Sequence, residues 1–152
     1  TGAWKAKFGQ VASYVHIWRF LRRKAGMTLW VNDEDKHYIY NGTGWQTALL
    51  TFHQSGLIET VANKNYTLIL DVPYPILIAQ TVVQSASGTC TGTFKINTTS
   101  LGGGAHSVST TKTTVTHGSA NSAIAGDSLI LTVSSNSSCL DLAYRITYLR
   151  LI

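Results

Sequence analysis

A chain of 152 residues is long enough for one domain or for two small ones. Its hydrophobic content of 44% excludes a disordered protein, because the apolar residues are numerous and patterned. Only 12% of the residues are charged, and the net charge of +5 is too mild for the long basic stripe of a typical nucleic-acid binder. We therefore expect no nucleic-acid partner, and we assign the basic run at 22–24 to a solvated or oligomer-facing turn.

The sequence also argues against membrane insertion. No apolar run approaches the ~20 residues that a membrane-spanning helix needs, and nothing resembles a signal peptide. The chain begins with Thr1-Gly2 rather than methionine, so we expect it to be a piece of a longer protein. Cys90 and Cys139 match neither a zinc spacing nor a dense disulfide framework. One bridge between strands stays open as an alternative, but two free thiols are favoured if the protein assembles in a reducing cytosol.

Composition changes along the chain. Residues 1–54 hold all four tryptophans and ten of the fifteen aromatic residues, whereas the remainder has alternating strands rich in Thr and Ser. This shift predicts two domains, an aromatic-rich module at 1–54 and a second domain at 55–152. The boundary is placed at residues of turn-forming composition, Ser55-Gly56 and 63–65.

The first part is predicted to be a small antiparallel meander. Between residues 11 and 23 a helix is the competing interpretation, but β-branched and aromatic residues dominate and no cap is evident. Residues 30–31 and 37–40 then read as two short strands joined by an acidic turn. Asn41-Gly42 is the firmest local signal, because Asn-Gly tolerates the positive φ angles of a tight turn, and it leads to Trp45.

The second part reads as a run of strands separated by turns. Alternating or continuous apolar patterns mark six strands, at 66–72, 76–84, 89–97, 107–116, 128–134 and 140–151. Strands of this number and spacing indicate an antiparallel β-sandwich. The fold class predicted for the whole chain is therefore all-β, with a small aromatic-rich antiparallel meander followed by an antiparallel β-sandwich.

Both parts match known sequence patterns. The match is carried by residues 1–4, 10–12, 18–20, 26–27, 30–31 and 40–45, and by 85–97, 125–127 and 131–135. The first set resembles a module of unnamed function in tail and spike proteins of phages and in the related gene-transfer agents. The second set is similar to a sandwich that caps phage fibres.

The resemblance implies a fibre or head-spike subunit of a virion, usually a homotrimer, assembled in the bacterial host cytoplasm with other virion structural proteins. It also implies contact with a host surface glycan, such as capsule or lipopolysaccharide. It supplies no binding residues, so the candidate site depends on local chemistry alone. Sugar binding needs a flat apolar face together with groups that hydrogen-bond hydroxyls. These ingredients cluster in one segment of the first part and give the candidate carbohydrate-binding residues Trp30, Asp33, Asp35, His37, Tyr38, Tyr40, Asn41 and Trp45.

The alternative is that these rings form the core of the small module, since small domains bury little else. For any single tryptophan we favour the core. Tyr38 or Tyr40 is the better candidate for exposure, because alternation places the intervening Ile39 on the opposite face.

Metal binding and catalysis are not predicted. Asp33-Glu34-Asp35 contains the oxygen ligands that calcium prefers, but no regular ligand spacing follows, so we expect no metal and no cofactor. The chain has seven acidic residues, three of them in one turn, and no Gly-x-Ser-x-Gly or His-Glu-x-x-His pattern. Its histidines are isolated, which is typical of structural histidines. We therefore expect no catalytic residues and no enzyme.

The predicted function is attachment of the particle to host polysaccharide without cleavage. The alternative is a structural role, in which the domains cap or brace a fibre and another subunit binds the cell. Apolar segments at 72–79 and 149–152 favour an oligomer, because exposed apolar patches tend to be buried against a partner. They fit central strands of a monomer nearly as well.

Overall fold

The structure is a computed structural model that describes residues 10–14, 18–22, 24–31, 36–47 and 50–150. None of these residues lies in a helix, and every strand pair is antiparallel. The described residues accordingly contain no helix that is long and apolar enough to cross a membrane. The chain divides into two compact units, Thr1–Ala48 and Leu49–Ile152.

The first unit contains two small sheets. Strands β1 (Gln10–Tyr14) and β2 (Trp18–Arg22) form a hairpin, so the strand prediction is confirmed over the helical one for this segment. Strands β3 (Thr28–Val31), β4 (Lys36–Tyr40) and β5 (Trp45–Thr47) form a three-stranded sheet in the order β3-β4-β5. This sheet is the predicted meander.

The second unit is built from nine strands that form one sheet. They are β6 (Leu50–Thr60), β7 (Asn65–Ile69), β8 (Ile76–Gln84), β9 (Ser87–Ile96), β10 (Thr99–Ser100), β11 (His106–Val108), β12 (Thr113–Thr116), β13 (Ser122–Ala123) and β14 (Leu129–Arg150).

Strand β14 organises this sheet. Its first part pairs with β7 and β9, and its last part pairs with β6 and β8. The register shifts on both sides of Ser137, and Ser135, Ser138 and Asp141 have φ angles of 51°, 53° and 50°. A register shift at residues with left-handed backbone marks a β-bulge. Bulges bend a strand, and here β14 changes its pairing partners across them.

The sheet curls around a single core. Alternate residues of β8, β9 and β14 point to the same interior, as the buried side chains Ile78, Phe94, Leu131 and Ile146 show. Because strands from both halves of the sheet contribute to this core, the two halves face each other like the layers of a sandwich. The predicted all-β class and the antiparallel sandwich are confirmed in this form.

Two predicted turns lie inside strands. The turn expected at 136–138 is replaced by the bulges of β14, which is one strand of 22 residues rather than two strands. Ser55-Gly56 lies in the middle of β6, opposite Arg145 and Tyr144 of β14. The predicted boundary between residues 54 and 55 therefore falls within β6, and the two units divide after Ala48 instead.

The apolar segment at 72–79 belongs to the core of its own unit. Val72, Ile76 and Ile78 are all at most 2% exposed, so this segment gives no support to an oligomer. Cys90 and Cys139 are free and buried thiols with their Sγ atoms 3.5 Å apart. Burial, and secondarily the neighbouring Cys139, raise the pKa of the Cys90 thiol to about 12.

Candidate functional site

The three-stranded sheet of the first unit has two chemically different faces. Directly paired residues of an antiparallel sheet lie on the same face. Trp30 pairs with His37, Thr28 pairs with Ile39, and Ile39 pairs with Gln46. These five side chains form one face, which we call the Trp30 face.

The Trp30 face presents apolar area to solvent. Trp30 is 49% exposed and Ile39 is 37% exposed, while His37 is half-buried. The rings of Trp30 and His37 have centroids 6.4 Å apart with planes tilted by 53°. Half of an indole is thus available for stacking, and an imidazole beside it can hydrogen-bond at its edge.

The opposite face carries the other predicted rings. Tyr40 is 7% exposed, its ring lies 5.4 Å from that of Trp45, and its hydroxyl donates to the carbonyl of Gly42 at 2.9 Å. Tyr38 and Trp45 are half-buried. Tyr38 or Tyr40 was the predicted candidate for exposure, but Tyr40 is buried and Tyr38 is only partly exposed. Alternation along β4 holds, but it exposes Ile39 and buries Tyr40, so Tyr40 is a core residue of the module.

Asn41 shapes the turn after β4. Its Oδ1 accepts hydrogen bonds from the backbone nitrogens of Thr43 and Gly44 at 2.9 and 2.8 Å and from the Thr43 hydroxyl at 2.9 Å. Gly42 has a φ of 105°, which a side chain would disfavour. The exposed Asn41 therefore has a structural role, and its carbonyl oxygen is already occupied.

The structure brings together only part of the predicted site. Trp30 and His37 share a face, whereas Tyr38, Tyr40 and Trp45 share the other. Asp33 and Asp35 lie outside the described residues, in the connection between β3 and β4. The calcium alternative at 33–35 lies there as well. Within the described ranges no three His, Cys, Asp or Glu side chains are grouped as metal ligands.

A buried polar cluster in the second unit was not predicted. The hydroxyl of Thr81 lies 2.7 Å from Nε2 of His106 and 2.7 Å from Nε2 of His117. Nδ1 of His117 is hydrogen-bonded to the carbonyl oxygen of Gly102. All three cluster side chains are at most 4% exposed.

The proton positions in this cluster follow from its acceptors. A carbonyl only accepts, so Nδ1 of His117 carries the proton and its Nε2 accepts from the Thr81 hydroxyl. The Thr81 oxygen then accepts from Nε2–H of His106. Nδ1 of His106 is left without a hydrogen-bond partner among the described residues. Burial, and secondarily the nearby His117, lower the pKa of His106 to about 4. The cluster is sealed from substrate, which gives it a structural role.

The comparisons with known proteins bear on the first unit. A comparison with curated proteins found no match. Residues 1–46 match the model of a family described as a protein of unknown function, DUF2793. This domain family is found in phage-associated proteins, and the match includes every residue of the Trp30 face.

Proposed function

We propose that the chain is a fibre or head-spike subunit of a phage or phage-like particle that attaches to host cell-surface polysaccharide without cleaving it. The observation that carries this proposal is the half-exposed indole of Trp30, flanked on one face by His37 and Ile39. The match of this segment to a family found in phage-associated proteins supports the particle context.

The Trp30 face has the chemistry that a sugar ring needs. The indole and the Ile39 side chain supply an apolar surface for the C–H side of a pyranose. An imidazole, an amide and a hydroxyl surround it, from His37, Gln46 and Thr28. These described groups hydrogen-bond hydroxyls, but they do not form the carboxyl pair that glycoside hydrolysis uses.

One such face binds weakly. Ring stacking contributes on the order of 1 kcal/mol beyond the apolar area that it buries. Firm attachment then depends on many copies engaging one cell surface at once, which raises the effective affinity without any new contact. A homotrimeric subunit on a particle with several fibres or spikes fits this requirement.

The test is binding to encapsulated and capsule-less host cells. Trp30→Ala should lower binding of the protein to encapsulated cells roughly fivefold to tenfold or more, since it removes the stacking surface. Leu29→Ala is the matched control, because Leu29 is 36% exposed on the opposite face of the same strand. Far-UV circular dichroism checks that both variants fold. Equal binding by Trp30→Ala and Leu29→Ala would reject the Trp30 face as the attachment surface.

A second candidate function is a structural cap or adaptor, with receptor binding by another subunit. Leu70 and Ile124 are 78% and 63% exposed, and both lie beside the turn at Asp127-Ser128. The hydroxyl of Ser128 donates to the Leu70 carbonyl, and the carboxylate of Asp127 accepts from the Ile124 nitrogen. Two exposed apolar side chains at one end of a unit favour contact with a neighbouring virion protein. Failure of the protein to bind any host cell or glycan would favour this role.

A further inference from the structure

The second unit has a small open cavity of about 180 Å³. It lies where β8 and β14 meet the loop before β12. The described residues that line it include Val82, Gln84, Lys112, Ala143, Tyr144 and Arg145. Because it is open to solvent, it can admit one small ring or anion.

The charge of the cavity is of one sign. Lys112 and Arg145 both line it, and none of the described lining residues is Asp or Glu. Neither cationic side chain has an ion pair or hydrogen bond within the described part of the chain. Two cations that share a cavity repel each other, so a bound anion stabilises the arrangement.

The sheet fixes the backbone positions of both cationic residues. Arg145 is on β14 between Ser55 of β6 and Val82 of β8. Lys112 directly precedes Thr113, which pairs with Val83. The Nε2 group of Gln84 donates to the carbonyl of Thr110 at 2.8 Å and so ties the loop that carries Lys112 to β8.

The remaining lining is largely uncharged. Val82 is buried and Ala143 is exposed, and these two side chains provide apolar contacts next to the cations. Tyr144 pairs with the buried Val83 on the other face of the sheet, so its ring packs against the core and only its backbone borders the cavity. An apolar wall beside two cations matches a sugar ring that carries a carboxylate.

We propose that this cavity binds the carboxylate of a single acidic sugar residue, such as a uronic acid. Arg145 supplies the planar fork that carboxylates bind in bidentate fashion, and Lys112 adds a point charge. The choice of a sugar as the carrier of the carboxylate rests on the proposed polysaccharide attachment. The cavity itself is a second site in a different unit from the Trp30 face.

Titration calorimetry with glucuronate, glucose and inorganic sulfate tests the proposal on the intact chain. Glucuronate should bind to the wild type, and Arg145→Gln should weaken this binding roughly tenfold or more, because a charged hydrogen-bonding group is lost. Lys112→Gln should weaken it less. Lys64→Gln, which removes an exposed lysine outside the cavity, is the control and should leave binding unchanged.

Three outcomes would overturn the proposal. They are equal glucuronate affinity in Arg145→Gln and Lys64→Gln, glucose binding as tight as glucuronate, and sulfate binding as tight as glucuronate. The last outcome would assign the cavity to inorganic oxyanions instead. Trp30→Ala should keep glucuronate binding intact, so a failure of the Trp30 face in the cell-binding test and a failure of this cavity give different results.

Discussion

The hydroxyl of Thr81 hydrogen-bonds two buried imidazoles. It donates to His117 and accepts from His106, so three side chains from β8, β11 and the segment after β12 share one hydrogen-bonded chain. Within this network a proton added to His106 would place an unpaired charge in the core, because Nδ1 of His106 has no hydrogen-bond partner among the described residues. The sequence gives no sign of this cluster, since residues 81, 106 and 117 are far apart and only strand pairing brings them together.

The lowered pKa of His106 predicts that the protein loses stability in mild acid. The pKa is about 4 in the folded state and about 6.5 in the unfolded state, so the unfolded chain binds more protons between these values. Stability is therefore complete above pH 6.5 and falls as the pH drops toward 4. We expect a loss of about 2–3 kcal/mol between pH 7.5 and 4.5. Urea unfolding at pH 7.5, 6 and 4.5 measures it.

Two comparisons isolate the contribution of His106. His106→Gln should flatten the pH dependence, and His53→Gln, which changes an exposed histidine outside the cluster, is the control. Hydrogen bonds from the Ile124 backbone and from Asn97 lower the pKa of Asp127. The stability that the Asp127 carboxylate contributes is therefore lost only as the pH falls below the ordinary pKa of 3.8, which is outside the tested range. A wild-type stability that is constant from pH 7.5 to 4.5 would contradict the prediction.

The strands show how far sequence patterns reach. Asn41-Gly42 predicted its turn because the backbone conformation there depends on those two residues themselves. The prediction of a turn at 136–138 was wrong because bulges and turns use the same residue types. The pairing of β14 with β9 and β6 is what makes this segment a bulged strand instead of a turn.

Which face of β4 is exposed was also beyond the sequence. Both faces carry rings, so alternation fixes that Ile39 and Tyr40 point apart but not which of them meets solvent. The cavity at Lys112 and Arg145 likewise depends on strand register, which pairs segments far apart in the chain. Local sequence patterns thus predicted strands and turns, whereas the exposed faces and the cavity depend on pairing between strands that are far apart in the chain.

The start of β9 requires glycine at position 88, where it packs closely against the bulged part of β14. We call this contact the corner. Gly88 has a φ of 65°, and a Cβ atom there would lie 2.5 Å from the backbone nitrogen of Cys139 and closer still to the Ser138 carbonyl. Gly88→Ala should therefore cost about 3 kcal/mol in the free energy of unfolding, from backbone overlap and left-handed strain together. Gly118→Ala is the control, because nothing lies within 4 Å of its Cβ position and its φ is not left-handed. Urea unfolding that gives both variants similar stability would refute this account of the corner.

At the scale of the whole molecule, the chain keeps its two kinds of chemistry in separate units. The extended hydrophobic core lies entirely in the second unit, between Val61 and Ile146. All four tryptophans lie in the first unit, before Ala48. The proposed stacking surface is in the tryptophan-rich unit, and the proposed anion cavity is on the wall of the unit with the large core.

This division predicts that residues 49–152 fold without residues 1–48. A domain of about 100 residues with its own core buries enough apolar surface for independent stability. The isolated second unit should therefore show strand-type circular dichroism and one cooperative thermal transition. In the intact chain, tryptophan fluorescence reports on the first unit alone, while the far-UV signal comes mostly from the strands of the second. A fragment that aggregates or melts without a cooperative transition would show that the core needs residues before Leu49 to form.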